Sequence, residues 1–338
     1  MDIKRTLPAN YRKEDEALFR EHLSYALPQT GPIHFHNTLA SGMSYLVQGI
    51  RLLPESFPDT LESSEWKWEW NAHAKIGTRI RTLLNIWRHR TGKSISEPAI
   101  WFTDTWSLSY YFWFIETLPR LCSVESLWRK GNPVFLPERF LDVEFVRDSI
   151  ERFNIPRLET IPATQSLLFK DLVIPKRTAG IHHTHPTYLT RAAEILRGEN
   201  PPQPKRKIHI SRKKARMRKF VNQEEVDAVF DKFDYETVNM EDLSWNEQAQ
   251  LMIEARVLAS IHGAGLANMV LMQPGSLVLE MRMKGPFNSS YFNMASACKH
   301  PYFYMTCEPA HEGVHEQQND FIIDINELGK TLEQIESY

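Results

Sequence analysis

The sequence predicts an α/β protein made of two similar domains, each built around a parallel sheet, with a cleft between them. In both halves, short apolar segments alternate with segments of helical length, which is the pattern of βαβ units. The 338 residues fit two domains at roughly 100–200 residues each. Loose segments at 175–186 and 198–207, the second rich in proline, disfavour helix and strand. We therefore expect an N-terminal domain over 1–180 and a C-terminal domain over 181–338.

The C-terminal half alternates most regularly. Asn222 and Ser244 each precede an acid by three residues, Glu225 and Glu247, which predicts two helix starts with capping boxes. The predicted strands are 207–211, 235–240, 257–263, 276–283 and 301–306. The predicted helices are 222–233, the segment after Ser244, 265–272 and 289–299.

The N-terminal half is irregular before residue 99 and then alternates. Trp66, Trp68 and Trp70 are spaced as in a strand, and we prefer core packing over sugar stacking for them. The predicted strands are 99–106, 132–137, 158–163 and 168–175. The predicted helices are the second part of 66–90, 110–124 and 142–153.

The composition and the N-terminal sequence disfavour a disulfide-rich, a secreted or a membrane-spanning protein. The charge is nearly balanced, with 40 Lys+Arg and 42 Asp+Glu, and the three cysteines are too few for a disulfide framework. The N-terminus lacks the apolar region of a secretory signal, and no apolar run approaches the ~20 residues of a membrane span. We expect a soluble cytoplasmic protein, and contact with the inner face of a membrane stays open.

A glycine-rich turn follows one predicted strand, in SIHGAGLAN at 260–268. The strand delivers His262, then Gly263, Ala264 and Gly265, and a helix begins. In open α/β sheets ligands bind beyond the carboxyl ends of the strands, and a new helix offers free N–H groups to an anion. This pattern predicts an anion site, although a tight turn with a buried histidine is the alternative. It is not a P-loop, because the Gly-Lys-Ser/Thr ending is absent.

A basic segment, IHISRKKARMRK at 208–219, follows another predicted strand. Ser211 and Arg212 fall at the strand exit, on the sheet edge where we also expect His262. The planar guanidinium suits phosphate better than an ammonium does, so Arg212, and less firmly Arg216 and Arg218, are candidates for an anion. For the lysines we prefer a solvated loop; these are Lys213, Lys214 and Lys219.

An acid stands alone in the apolar helix 110–124. The helix that carries Glu116 begins at the strand edge of the N-terminal domain. A carboxylate in apolar surroundings generally has a raised pKa, which suits proton transfer. The pattern alone favours a simpler alternative, a surface ion pair with Arg120. Asp104, at the end of the preceding strand, is the alternate base.

Metal binding is weakly indicated. The HHTH segment at 182–185 has the spacing of metal ligands but no acid or cysteine near it in sequence. No Asp-x-Asp occurs in the chain, which lowers the chance of a carboxylate-held metal for a nucleotide. We predict no metal site and no cofactor.

Taken in order, these segments resemble the signature region of glycosyltransferase family 61. The resemblance covers about 109–121 and 207–282. It comprises the segments YYFWFIETLPRL, ISRKKARMR, the Glu-Gln helix, HGAGLAN, the Pro-Gly turn and VLE. Ser109 and Phe112 depart from the family's usual Asn and His, which puts any role of that histidine in doubt here.

The resemblance implies a GT-B fold, with two facing Rossmann-like domains and the nucleotide-sugar bound mainly by the C-terminal one. It also implies inverting, metal-independent transfer, commonly from a UDP-sugar, to a glycan or lipid-linked glycan acceptor in capsule, lipopolysaccharide or other surface polysaccharide synthesis. The expected base is Glu116, and Glu280 is expected near the ribose. The residues expected at the donor are Ser211, Arg212, Arg216, Arg218, His262, Gly263, Ala264, Gly265, Leu266, Asn268 and Glu280.

Two other functions remain open at this point. The basic segment could bind nucleic acid, but the net charge of −2 and the lack of a nucleic-acid motif weigh against it. The departures at Ser109 and Phe112 would also suit a non-catalytic nucleotide-sugar binder.

Overall fold

The computed structural model describes residues 2–57, 76–180, 182–285, 287–314 and 318–338. It forms two compact units, Pro28–Ile181 and Met1–Leu27 with His182–Tyr338. Each unit is a mixed α/β structure with parallel strands, as the alternation predicted. Within these residues, no helix combines the length and apolarity required to cross a bilayer.

The strands are β1 (Asp2–Lys4), β2 (Ser24–Ala26), β3 (Pro32–Ser41), β4 (Leu46–Gln48), β5 (Arg51–Leu52), β6 (Arg90–Ile95), β7 (Ala99–Trp101), β8 (Val134–Pro137), β9 (Leu158–Ile161), β10 (Ser166–Pro175), β11 (Arg206–Ile210), β12 (Glu236–Val238), β13 (Ala255–Ile261), β14 (Leu277–Met283), β15 (Tyr302–Pro309) and β16 (Phe321–Ile322). The α-helices are Glu16–Phe19, Ile76–Arg88, Tyr110–Phe112, Leu118–Ser123, Glu125–Arg129, Glu144–Glu151, Pro186–Arg197, Gln223–Lys232, Trp245–Ile253, Ser290–Ala297 and Ile325–Glu336.

The unit Pro28–Ile181 is built on one mixed sheet with the order β5-β4-β3-β10-β7-β8-β9, and β6 also pairs with β10. Strands β7 to β10 were predicted and are confirmed. Strands β3 to β6 were not predicted. In β3 the first half is largely exposed and polar, so the strand lacks a continuous apolar run. Pairing of β3 with β10 is antiparallel, whereas β7, β8 and β9 run parallel.

Aromatic side chains fill the core of this unit. Trp101, Phe135 and Phe169 are buried together in one apolar cluster on this sheet. Burying side chains of this size stabilises the unit by about 1.5–3 kcal/mol each. Helix Ile76–Arg88 confirms the prediction for the second part of 66–90. Trp66, Trp68 and Trp70 lie outside the described residues.

The C-terminal unit has a six-stranded sheet with the order β12-β11-β13-β14-β15-β16. All neighbours run parallel except β16, which pairs antiparallel with β15. The five strands predicted here are confirmed, with shifts of one or two residues at most ends. A large apolar core around Val257, Leu279 and Phe303 lies against this sheet.

The two predicted capping boxes have different outcomes. Ser244 and Glu247 form both reciprocal hydrogen bonds, which confirms that box. The box at Asn222 was wrong. Its side chain instead bonds the backbone N–H and C=O of Ile323, so it joins the helix to β16 rather than capping it.

Residues 2–27 pack on the C-terminal unit, which differs from our division at residue 180. The side chain of Asn10 accepts from the N–H of Tyr304 at 3.1 Å and donates to its C=O at 2.7 Å. Phe19 is fully buried and meets Phe292 edge to face at 5.2 Å. These contacts involve single side chains on short elements, so the periodicity of the sequence does not predict them.

Candidate functional site

The two motifs predicted to share a sheet edge leave neighbouring strands. Strands β11 and β13 run parallel, with Ile210 opposite Ser260. Arg212 therefore follows one strand, and His262 follows the next, at the carboxyl edge where ligands bind in such sheets. Glu280 lies opposite Ser260 on the other side, in β14.

Two arginines lie on the backbone of the glycine turn. Arg218 donates from Nη1 to the C=O of His262 at 3.0 Å, and Arg212 donates from Nε to the C=O of Arg218 at 3.2 Å. A Cβ built on Gly263 would lie 3.1 Å from Nη1 of Arg212 and 3.5 Å from Nη1 of Arg218. Glycine at this position therefore allows both guanidiniums to approach the turn.

The arginine pair has no carboxylate partner among the residues that the structure describes. Burial and the like charge of Arg218 lower the pKa of Arg212. Two neighbouring cations that no described carboxylate pairs with favour binding of an anion, because an anion would relieve their repulsion; the more distant charge of Glu241 offsets the lowering of the Arg212 pKa only in part. Such a geometry suits a phosphate group, which can accept bidentate bonds from a guanidinium.

The residues after Gly263 form a 3-10 helix, Ala264–Leu271, rather than the predicted α-helix. A Cβ on Gly265 would meet the side chain of Ile210 at 3.4 Å, so the helix start packs closely on β11. Leu266 and Asn268 are buried, and Asn268 donates from Nδ2 to the C=O of Gly265 at 3.1 Å. These two residues therefore hold the shape of the turn.

A buried carboxylate holds the histidine of this turn. Glu280 is completely buried, and its Oε1 contacts Nδ1 of His262. Its Oε2 accepts from the hydroxyl of Tyr302 at 2.6 Å; burial and this carboxylate raise the pKa of the Tyr302 hydroxyl. Both oxygens of Glu280 are thus engaged inside the unit, which differs from the ribose contact that we expected. The bond at Nδ1 leaves Nε2 of His262 for a ligand.

The rest of the basic segment divides into three kinds of residue. Ser211 is buried, and its Oγ accepts from the N–H of Lys213 at 3.2 Å. Lys214 forms an exposed ion pair with Asp242 at 2.6 Å. Arg216 is exposed, and the three atoms nearest to a Cβ built on Gly263 belong to Arg212 and Arg218 instead. The structure therefore brings Arg212 and Arg218 to the turn and leaves Arg216 away from it.

Because the resemblance implies a UDP-sugar donor, we expect Gly263→Ala to weaken UDP binding without unfolding the protein. The added methyl group would displace Nη1 of Arg212 from the turn and would lie in ordinary van der Waals contact with Nη1 of Arg218, and an arginine tip can move at low cost. The φ of 167° is extended backbone that alanine accepts, so the fold should persist. We expect the Kd for UDP to rise roughly tenfold, which is about 1.4 kcal/mol.

Calorimetry of UDP binding tests this prediction, with Gly329→Ala as the matched control. A Cβ at Gly329 would meet nothing within 4 Å. Equal UDP affinity in Gly263→Ala and the wild type would remove this turn from the donor site.

In the other unit, Glu116 is ion-paired with Arg177 and not with Arg120. Arg120 donates instead to Oδ2 of Asp104 at 3.2 Å and to the C=O of Pro175 at 3.3 Å. Residues Trp113–Thr117 form a π-helical turn, which explains why the expected i,i+4 pair is not formed. Such turns occur frequently at functional sites.

Arg177 was missed by sequence reasoning. It bonds Asp104 at 2.7 Å through Nη2 and contacts Glu116 through Nη1, so it joins both candidate acids. One signal pointed to it: Arg177 comes just after β10, at the carboxyl end of a strand parallel to β7. We had assigned that segment to the linker.

Asp104 is poorly suited to act as a base. It is buried, and it accepts from the N–H of Trp106, the hydroxyl of Ser107 and both arginines, Arg120 and Arg177. Burial raises the pKa of Asp104, but the two adjacent arginines outweigh it and hold that pKa below its usual range. The structure therefore disfavours the alternate assignment and leaves Glu116 as the candidate.

Asp104→Asn should destabilise the protein by about 3–5 kcal/mol, because it leaves the buried guanidinium of Arg120 without its counter-ion and removes one of the two carboxylates that Arg177 contacts. Since the folded pKa is below the unfolded value of about 4, the stabilisation is complete above that value and is lost as the pH falls through the folded pKa. Chemical unfolding at several pH values tests both statements.

The matched control for this change is Glu97→Gln. It breaks an exposed ion pair with Arg157 in the same unit and should change the stability much less than Asp104→Asn does. A similar cost for both substitutions would contradict a buried counter-ion role for Asp104.

The histidines of the HHTH segment have separate partners. Nδ1 of His182 lies 2.7 Å from the hydroxyl of Ser290, whereas His183 stacks on Tyr25 at 3.7 Å. Burial and the charge of Arg5 lower the pKa of His183 to about 4. Across the parts of the chain that the structure describes, no three His, Cys, Asp or Glu side chains gather as metal ligands.

Ser109 and Phe112, which replace the family's usual Asn and His, have different surroundings in the structure. Phe112 packs edge to face on Trp106, with 4.9 Å between the ring centres. A histidine at this position would therefore contact an apolar ring. Ser109 is exposed and precedes helix Tyr110–Phe112 without a side-chain capping bond.

Comparison with known proteins gives one clear result. No curated protein matches the chain significantly. The family model Glycosyltransferase 61 matches residues 110–279, half of the chain. That range includes Glu116, the arginine pair and the glycine turn. The chain therefore belongs to the Glycosyltransferase 61 family, whose members use a sugar donor and an acceptor.

Proposed function

We propose that the protein transfers a sugar from a UDP-sugar to a hydroxyl group of a glycan acceptor. The observation that carries this proposal is the pair Arg212 and Arg218, which lies on the turn of Gly263 without a carboxylate partner among the described residues. A nucleoside diphosphate is the anion that this family's donors release, and two adjacent guanidiniums match it in charge and shape.

In the proposed reaction, the acceptor oxygen forms a bond to the anomeric carbon while the bond to the leaving phosphate breaks. One displacement of this kind inverts the anomeric centre. Negative charge develops on the leaving diphosphate, and Arg212, Arg218 and Nε2 of His262 would stabilise it together with the amides of Ala264 and Gly265. These groups supply the charge that a metal supplies elsewhere, so we propose that transfer is metal-independent.

Glu116 is the proposed base that takes the proton of the acceptor hydroxyl. Its ion pair with Arg177 fixes the direction of the carboxylate. A GT-B arrangement, in which the acceptor side and the donor side face each other, stays part of this proposal and rests on the family. We also propose a cytoplasmic location and a role in surface polysaccharide synthesis, and these two proposals rest on the family as well.

Glu280 has a different proposed role from the ribose contact that we first expected. We infer that it positions His262, because it is buried and bonds Nδ1. Glu280→Gln should lower kcat by roughly tenfold, less than the 10²–10³ expected for losing a charge-stabilising donor outright. The KM for the donor should change little, and the pH dependence of kcat should shift.

Steady-state kinetics over a range of pH test this role, with Tyr302→Phe as the comparison. That variant removes only the second bond to the carboxylate and should retain most of the rate. An unchanged pH profile in Glu280→Gln would mean that Glu280 is structural only.

A donor-hydrolysis screen with UDP-, GDP- and CMP-sugars tests the proposed function. We expect release of UDP from at least one UDP-sugar, without added metal. Binding without any release would support the non-catalytic alternative. Nucleic-acid binding is the less favoured alternative, because the net charge is −2 and Lys214 of the basic segment is paired with Asp242.

A further inference from the structure

Helix Ile76–Arg88 has two apolar faces, and among the residues that the structure describes only one of these faces has a packing partner. Ile86 is buried against Val47, Leu52 and Phe57, which fixes the inner face of the helix on the sheet. The outer face carries three large apolar residues with exposed fractions of 51 % for Ile80, 65 % for Leu84 and 44 % for Trp87.

The three exposed residues form one stripe. Positions 80, 84 and 87 are spaced by four and three residues, which places their side chains on the same face of an α-helix. Single exposed apolar residues need no explanation, but a contiguous stripe of Ile, Leu and Trp marks an interaction surface.

The stripe is bordered by positive charge. Arg81 and Arg88 are exposed beside it, and the guanidinium of Arg90 lies 5.6 Å from the ring centre of Trp87. The sequence from 71 to 96 contains no Asp or Glu. These arginines form no ion pair with any acid in the described part of the chain.

We propose that this outer face docks on the surface of an anionic phospholipid bilayer. Ile80, Leu84 and Trp87 would enter the boundary between headgroups and acyl chains, where tryptophan is favoured. Arg81 and Arg88 would contact lipid phosphates, and each basic residue near an anionic surface adds to binding. The helix has 13 residues, about 20 Å, so it would lie in the plane of the interface.

Charge decides between this partner and a second copy of the chain. Packing two copies of the same face would bring two sets of unpaired arginines together, which is unfavourable, whereas an anionic surface neutralises them. The proposal does not depend on the donor, the acceptor or the catalytic residues.

Vesicle flotation of the full-length protein tests the proposal. The wild type should float with vesicles of equal parts phosphatidylglycerol and phosphatidylcholine, and much less with phosphatidylcholine alone. Leu84→Ser with Trp87→Ser should abolish flotation. Arg81→Gln with Arg88→Gln should lower the partition coefficient by about tenfold or more and weaken its dependence on salt.

The matched control is Arg129→Gln with Arg147→Gln, which removes the same charge from exposed positions of the same unit and should leave flotation unchanged. All substituted side chains are largely exposed, and thermal unfolding checks that the variants fold. Flotation of Leu84→Ser with Trp87→Ser at the wild-type level would overturn the proposal. So would a dimer in solution that this double variant dissociates, because the face would then bind a second copy.

Discussion

Replacing Glu116 with glutamine should reduce sugar transfer by roughly 10²–10⁴-fold while leaving UDP binding nearly unchanged. Glutamine keeps the size of the side chain but cannot take a proton from the acceptor hydroxyl. The donor, in this account, is bound by the other unit, so its affinity should not depend on Glu116. Transfer rates and calorimetric UDP titrations on the same preparation test both parts.

The ion pair of Glu116 with Arg177 requires a control for stability. Glu125→Gln is suitable, because Glu125 begins a nearby helix of the same unit, Glu125–Arg129, forms an ion pair with the exposed Arg129 and should keep wild-type activity. If Glu116→Gln lowered only the melting temperature and kept the wild-type rate per folded molecule, Glu116 would be a structural residue.

Arg212→Gln should lower kcat by about 10²–10³-fold and also weaken UDP binding. The guanidinium of Arg212 lies next to that of Arg218 on the Gly263 turn, so its loss removes charge where the leaving diphosphate would develop charge. The change should affect binding and rate together, in contrast to Glu116→Gln, because the diphosphate is bound before the reaction and becomes more negative during it.

Lys213→Gln is the matched control, since Lys213 is the next residue and is exposed. We expect a change of less than about threefold, which is within 0.7 kcal/mol. Arg216→Gln should resemble Lys213→Gln, because Arg216 is exposed and away from the turn. If Arg216→Gln were as damaging as Arg212→Gln, the loop would adopt another arrangement with the donor bound.

Much of the C-terminal sheet could be predicted because its strands are buried on both faces. The sequences of β13 and β14 are mostly apolar, their residues are almost all buried, and glycine and basic residues follow both strands. Since parallel strands end at a common edge, the approach of Arg212 to the His262 turn followed from the alternation alone.

Other parts of the site depend on contacts that no local pattern contains. The bond of Glu280 to His262 needs the register of β13 against β14, which sequence periodicity does not give. The pairing of Glu116 with Arg177 needs the π-helical turn and the end of β10, which are far apart in the chain. The placement of residues 2–27 rests on single side chains such as Asn10 and Phe19.

The central claim is that the turn at Gly263 binds the diphosphate of a nucleotide without a metal. Calorimetric titration of the wild type with UDP, UMP and a short oligonucleotide, in the presence of EDTA, tests it most directly. We expect UDP to bind clearly more tightly than UMP, Arg212→Gln to remove this difference, and the oligonucleotide not to compete. Tight oligonucleotide binding without UDP binding would contradict it.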